Sequence, residues 1–519
     1  MLQDLLQKLE GELKSLGGGG ISFLDPEEVR TVDASTKVYS SRTTNQRDRL
    51  RKNAMGVLIA VSRLVNALAP INKLPPEILG LLPKYEDDQT PKHLVAVSSV
   101  CSYWRNTFIA TPYLWTRLDG RGVEKSRAWV ERSGALPIQL WVEGSPNPEV
   151  LEFLATHSSR LEVVHLPRIK SRDRSLFTDN HIRKLLRPAL ILRHICVEVY
   201  GLGVPDFDAP VPVAGLFPSL ERLRVSGFPV LVDGLCAPNL RNLELAGGFD
   251  PRFDPESLLD LLETSPLLEY LDFALLLRQD VSFSTERKVT LEKVKQASFS
   301  ADGFNILEHL LLPTSNEITV DIPPHRLYDT TNDCTLILSR ALDSLPMSRQ
   351  VRSMSYFVTS QNQTMSLEGP YGKFELILDN IDEPTTSITL LRLLAQRSTG
   401  SIRELKIPQL YVPPSHYDVI NDLFKSLEGL HSVHVHSSFA TQCLLALGTN
   451  HCLQLEEVTI RCTVPDYDGW KEFVQGRSEA GIPIQRLFIE RDRHALIDEE
   501  ATEPLREYVR EVHEMHGYR

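Results

Sequence analysis

Three histidines within six residues, His431, His434 and His436, are the most metal-competent cluster in the sequence. On a strand, His434 and His436 share one face and sit close enough to ligate one ion, but a zinc site needs further protein ligands. Val433 and Val435 occupy the opposite face, where an apolar pair belongs to a core. The histidines are therefore expected on the outer face of a sheet. Asp466 and Asp468, in Pro465-Asp466-Tyr467-Asp468-Gly469-Trp470, offer oxygens to calcium but lack the ligand ladder of an EF-hand loop, and a turn is the expected use. Gly17 to Gly20 follow no strand pattern, so they do not make a phosphate cradle. The sequence contains no nucleophile elbow, Walker loop, dinucleotide fingerprint or HExxH helix. Its seven cysteines, Cys101, Cys196, Cys236, Cys334, Cys443, Cys452 and Cys462, form no CxxC pair and read as reduced, mostly buried thiols. The expectation is a non-enzymatic protein with no catalytic residues, no cofactor and no metal.

Composition narrows the class further. The chain has 519 residues, 42% of them hydrophobic, and a formal charge of −12. Such a chain can bury a sizeable core, and its acidic balance argues against general nucleic-acid binding, which needs lysines and arginines to displace counterions. The apolar run from Met55 to Pro70 is short and interrupted by Arg63, so no membrane partner is expected. Asp4, Lys8, Glu10, Glu12 and Lys14 are interspersed among the first leucines, which is unlike a secretory signal. A cytoplasmic or nuclear location follows as an expectation.

The elements come next. Leu2, Leu5, Leu9, Leu13 and Leu16 lie along one helical stripe, which Gly17 to Gly20 terminate. Residues 21 to 46 read as a linker, so residues 1–46 form a helix and a flexible connection. A lead-in helix over 47–70 carries Ala54, Val57, Leu58, Val61, Leu64, Val65 and Leu68. Its basic cluster, Arg47, Arg49, Arg51 and Lys52, is either an import signal or a solvated face. Residues 71–120 then pack short helices between proline breaks. Pro75 and Pro76 open one helix bearing Ile78, Leu79 and Leu82, which Pro83 stops. Pro91 opens a second, on which Leu94, Val97, Val100, Cys101 and Trp104 recur at helical spacing. Pro112 starts a turn presenting Leu114 and Trp115.

The order of Leu74-Pro75 with Glu77-Ile78-Leu79, Val100-Cys101 before Trp104-Arg105, and Thr111-Pro112 before Leu114-Trp115 resembles an F-box, in the F-box-like variant common in fungal families. The resemblance implies docking on a Skp-type adaptor that links to a cullin ligase. It assigns adaptor contacts to Leu74, Pro75, Ile78, Leu79, Leu94, Val97, Trp104, Leu114 and Trp115. Trp129-Val130-Glu131-Arg132-Ser133-Gly134, with Pro137 behind it, is similar to the segment after the F-box in those families.

Past Gly120 the pattern alternates: a helix to Arg132, a strand over 137–142 and a helix over 148–157. A phrase then repeats, apolar-x-x-apolar-x-apolar. It appears at Leu161/Val164/Leu166, Leu192/Ile195/Val197, Leu220/Leu223/Val225, Leu240/Leu243/Leu245, Leu268/Leu271/Phe273 and Val294/Ala297/Phe299. It resumes at Ile402/Leu405/Ile407, Leu430/Val433/Val435, Leu455/Val458/Ile460 and Ile484/Leu487/Ile489, with regular steps of 20 to 31 residues. That period and phrase resemble leucine-rich repeats, whose units stack because none can bury its apolar side alone. Residues 308 to 400 interrupt the period, with Val351/Met354/Tyr356 and Phe374 to Leu378 as degenerate strands. Leu505, Val509 and Val512 predict a capping helix over 498–519.

The expected fold class is α/β. An N-terminal helical segment and a three-helix F-box subdomain (71–120) precede an irregular leucine-rich-repeat solenoid over 121–497, with parallel strands on one face and helices on the other. An α/β domain without repeats is the alternative. The expected function is the substrate-recognition subunit of an SCF-type E3 ubiquitin ligase, its repeats binding an unknown target protein. A leucine-rich-repeat scaffold not engaged in ubiquitination is the alternative.

Overall fold

A computed structural model describes residues 36–82, 91–142, 144, 146–170, 184–185, 189–200, 211–212, 215–227, 230–248, 255–276, 287–313, 317–322, 342, 351–358, 362–370, 372–379, 391, 402–407, 417–448, 451–462, 465–491 and 502–516. The leucine stripe of residues 2–16 and the glycine run lie outside these residues. The chain divides into two compact units, Met1–Asp87 with Val95–Phe108, and Asp88–Leu94 with Ile109–Arg519. No described helix is long and apolar enough to cross a membrane.

The first unit holds α1 (Thr36–Leu68) and α2 (Pro76–Leu81), with the second half of α3 (Pro91–Ser98) and most of α4 (Ser102–Ile109). Two sequence expectations change here. The lead-in helix starts at Thr36 rather than Arg47, taking in part of the expected linker. The helix expected from Pro91 through Trp104 breaks between Ser98 and Ser102. Its break has a local cause: the Ser98 and Ser99 hydroxyls both donate to the Val95 carbonyl, at 2.9 and 2.7 Å, competing with backbone N–H groups for the turn.

The second unit is organised by one open sheet. Its strands are β1 (Arg117–Leu118), β2 (Ile138–Trp141), β3 (Leu161–Lys170), β4 (His194–Tyr200), β5 (Arg222–Ser226) and β6 (Asn242–Gly248). They continue as β7 (Tyr270–Leu276), β8 (Gln296–Ala301), β9 (Glu317–Ile322), β10 (Ser353–Val358), β11 (Asn362–Gly369) and β12 (Gly372–Asp379). The last are β13 (Glu404–Ile407), β14 (Ser432–His436), β15 (Glu457–Cys462), β16 (Arg486–Arg491) and β17 (Glu511–His516). The fold is mixed α/β with a large parallel sheet, and the described strands form no closed barrel.

Every repeated phrase places its second and third apolar residues on a strand, in register with its neighbours. Leu223, Leu243, Leu271, Ala297 and Ile318 align in one row, and Val225, Leu245, Phe273, Phe299 and Val320 in the next. All of them are buried. Parallel pairing needs a crossover between strands, and the phrase spacing of 20 to 31 residues leaves room for one. The crossovers differ along the chain. Around β4 to β6 the connections pair with each other as two-residue ladders, Val211–Pro212 with Val230–Leu231 and Gly215–Leu216 with Leu235–Cys236. Later crossovers are helices: α8 (Tyr417–Lys425), α9 (Ser437–Leu447) and α10 (Tyr467–Glu479). Earlier helices are α5 (Val123–Arg132), α6 (Pro148–Ala155) and α7 (Pro255–Glu263).

The interrupted region contributes strands to the same sheet. β9 pairs in parallel with β12, and β10 in parallel with β13, while β11 runs antiparallel between β12 and β10. The meander β10–β11–β12 therefore enters the sheet in reverse spatial order, with β11 as the one described strand against the common direction.

The expected capping helix is also corrected. Residues 503–505 form one short 3-10 turn and β17 then pairs in parallel with β16, Val512 opposite Leu487. Val509 and Val512 are spaced three apart, which fits a helix face and the start of the strand phrase equally well. Pro504 at the head of the turn and the existing edge of β16 favour the strand.

Other candidates resolve locally. His434 is half-buried with its Nε2 3.4 Å from Glu404 Oε1, and His436, two residues along the same strand, is buried. Among the described residues no group of three or more His, Cys, Asp or Glu is placed to hold a metal. Asp466 caps α10, accepting from the Gly469 N–H at 3.2 Å and from the Thr441 hydroxyl at 2.6 Å.

Candidate docking surfaces

The nine residues assigned to adaptor contact divide sharply by exposure. In the first unit Pro75 and Ile78 are exposed, Leu74, Val97 and Trp104 are half-buried, and Leu79 is fully buried. Leu94, Leu114 and Trp115, which belong to the second unit, are buried. Adjacent helical positions thus split: Ile78 is 47% exposed and Leu79 0%.

Polar bonds that the sequence did not announce fix this part of the first unit. The Tyr103 hydroxyl donates to the Leu74 carbonyl at 2.8 Å, and the Trp104 indole N–H donates to Asn72 Oδ1. Both tie α4 to the Asn72–Leu74 turn that starts α2. Trp104 also meets Phe108 edge to face, with ring centroids 5.7 Å apart. The apolar surface left outward includes Ile71, Leu82, Val95 and Val100 in addition to Ile78. A groove of about 650 Å³ opens beside it, lined by Leu58, Ile59, Arg63, Asn72, Tyr103 and Arg105. Its lining is apolar and cationic, with no general acid–base pair.

In the second unit, Pro112–Trp115 form a 3-10 turn built into the sheet's first end. Trp115 is 2% exposed, meets Trp129 edge to face at 5.2 Å, and is covered by the Arg132 guanidinium 4.5 Å from its ring centre. Arg160 closes the assembly from below, donating to Ser133 Oγ at 2.8 Å and to the Leu136 carbonyl at 2.9 Å.

The sheet offers a different surface. The residue after each leading apolar position alternates in charge: Glu162, Arg193, Glu221, Arg241, Glu269, Lys295. Their backbones bond strand to strand at 2.8–2.9 Å, and their side chains follow. Arg193 donates to Glu221 at 2.7 Å, Arg241 to Glu269, and Lys295 to Glu269 at 2.8 Å. The Arg193 hydrogen bond holds the Glu221 carboxyl below its usual range, and Lys295 does the same for Glu269.

Three residues further along, the strands carry Cys196, Arg224, Glu244, Asp272 and Ser298 in register on the face opposite the buried rows. Arg224 Nε lies 2.5 Å from Glu198 Oε1 and 3.1 Å from Glu244 Oε2. Burial pushes the Glu244 and Asp272 carboxyls upward and the Cys196 thiol to about 12. A thiol held protonated in this way is a poor nucleophile. The row can recognise charge and shape and carries no nucleophile–base constellation.

No family model matches the chain. Comparison with known proteins finds it 25% identical over 223 residues to the F-box protein FBW2 of Arabidopsis thaliana, spanning 35% of this chain and 69% of that protein. The similarity is distant and reaches an F-box protein family, no finer.

Proposed function

We propose that this chain is a substrate-receptor subunit of an SCF-type ubiquitin ligase and performs no bond chemistry itself. Residues 71–120 act as the F-box-like element on a Skp-type adaptor that joins a cullin scaffold. Residues 121–497 act as a leucine-rich-repeat-type solenoid that holds a target protein near the ubiquitin-charged enzyme, raising its effective concentration. The observation that carries this reading is the outward apolar surface at the Leu74-Pro75 motif, in a chain distantly similar to an F-box protein. Apolar anchors that lose their water on docking usually supply most of such an interface.

The exposures refine the roles. Pro75 and Ile78, with Val95 and Val100, make the contact in this proposal, while Leu79 is buried within the same unit and Leu114 and Trp115 belong to the core of the second unit. Capture of a purified Skp-type adaptor by the full chain and by an Ile78→Asp/Val100→Asp variant tests it. The expected result is capture by the parent chain and at least a tenfold loss in the variant, with thermal unfolding unchanged because both side chains are already in water. Equal capture by both, or none by the parent, sinks the proposal.

A further inference from the structure

The helix α1 is 33 residues long, and none of its described side chains is buried. Leu50, Ala54, Val57, Val61, Leu64 and Leu68 recur at spacings of four, three, four, three and four, the seam of a helix that lies along another helix. On that seam Leu50, Val61 and Leu68 are 41%, 42% and 70% exposed, and Leu58 and Val65 beside it are each 61% exposed. The groove next to α4 takes the other flank: Ile59, Ser62 and Asn66 line it, about 120–180° around α1 from the seam. A helix in water draws most of its stability from packing its apolar face, so the open seam calls for a cover.

Two features select that cover. The seam reads alike from both ends. Turned antiparallel about Ile59, a second copy of α1 would set Leu50 against Leu68 and Val57 against Val61, each contact made twice about one two-fold axis. Beside the seam, Leu58 would meet Leu58, and the aliphatic stem of Arg51 would lie along Val65.

Charge is the second feature, because it separates along the helix rather than around it. Between Thr36 and Leu68 stand seven lysines and arginines against one carboxylate, and six of the seven precede Asn53. A parallel pair would place Arg47 on Arg47 in the seam and the two basic clusters side by side. An antiparallel pair holds the Arg47–Lys52 clusters about 28 Å apart along the axis, beyond three Debye lengths of about 8 Å at physiological salt. Each cluster then lies over the uncharged 66–71 end of the other copy.

We infer that α1 pairs two copies of this chain, antiparallel, through the Leu50–Leu68 seam. The seam is about 27 Å long, which puts the interface in the small, transient size class and the pairing in the micromolar range. The inference rests on α1 alone and holds whether or not residues 71–120 bind an adaptor.

Sedimentation velocity of the purified full chain from about 1 to 100 µM tests it. The parent is expected to move from monomer toward twice the chain mass. Val61→Asp/Leu68→Asp should associate at least tenfold more weakly, with thermal unfolding unchanged because both side chains are already in water. Met55→Asp/Ile59→Asp, on the other flank, should associate like the parent. Direction is read by mixing two variants with one added cysteine each under mild oxidation. Leu50→Cys is expected to link to Leu68→Cys and not to a second Leu50→Cys, the joined peptides being identified by mass. A parent that stays monomeric at every concentration, with or without binding to anionic lipid vesicles, overturns the inference. So does undiminished pairing of Val61→Asp/Leu68→Asp, an equal loss in Met55→Asp/Ile59→Asp, or Leu50→Cys linked to itself.

Discussion

Trp104 and Trp115 stand eleven residues apart and are held in opposite ways. Trp104 is half-buried; its N–H goes to Asn72, one edge meets Phe108, and the apolar surface around it faces water. Trp115 is enclosed, with Trp129 on one side and the Arg132 guanidinium on its face. One proline-punctuated stretch thus supplies both a surface and a foundation. The first is fixed by a few directional hydrogen bonds, each contributing about 1 kcal/mol net. The second is fixed by aromatic area, each ring removing 150–250 Å² from water at roughly 25 cal/mol per Å². A surface intended to exchange solvent for a partner is better held by polar pins than by apolar burial, since its apolar atoms stay available.

That contrast is broken most directly at its strong end. Trp115→Ala is expected to destabilise the sheet-bearing unit by about 3–5 kcal/mol, as large aromatic truncations in cores do. The measurement is chemical denaturation followed by far-ultraviolet circular dichroism, and a loss under about 1 kcal/mol would show that Trp115 is not a foundation. At the other end, Trp104→Phe keeps the ring on Phe108 but leaves Asn72 Oδ1 without its donor, and Tyr103→Phe does the same to the Leu74 carbonyl. Each is expected to cost about 1 kcal/mol. The effect should appear as faster amide exchange in α2 and α4 with no change in β3 to β8. If either exchange pattern spreads to the sheet, the two regions are not held differently and the comparison fails.

The sheet was legible because its phrase is a physical instruction. An apolar residue at the strand entrance and two more on alternate positions give one buried face, and Leu240/Leu243/Leu245 falls in register with Leu268/Leu271/Phe273 as that predicts. The same reasoning missed β17 because its third position is Glu514, whose carboxylate accepts from the buried Thr502 hydroxyl at 3.0 Å. It missed β11 altogether: Met365 and Leu367 alternate but follow no leading apolar position of the phrase, and the strand runs back antiparallel from the Gly369–Gly372 corner, with Gly372 at φ +139°. It read α3 and α4 as one helix because apolar spacing continues through Val100, whereas the break lies in two serine hydroxyls. In the candidate docking surface, spacing found the correct side-chain types but not which of Ile78 and Leu79 faces water. That difference depends on tertiary packing, to which a single helical turn is blind.

The smallest expected effect separates the two kinds of charge on the sheet. Asp272 is held above its ordinary value chiefly by burial, so the folded chain binds its proton more tightly than the unfolded chain does. Ionisation at neutral pH therefore costs stability at this position, and lowering the pH toward the ordinary carboxylate range recovers it. Glu221 and Glu269 have the opposite sign. Their folded values are lowered by Arg193 and Lys295, so they stabilise the fold above the unfolded carboxylate value and lose that contribution as pH falls through the folded one. Asp272→Asn keeps an oxygen for the Ser298 hydroxyl and removes the buried charge. It is expected to raise the unfolding temperature at pH 7 by on the order of 1 °C, with the gain shrinking as the pH drops toward 4. Glu269→Gln should lower it slightly at pH 7 and converge with the parent in acid. An Asn variant less stable than the parent at pH 7 would mean that Asp272 is held by its partners, like Glu221, rather than merely tolerated beside Arg224.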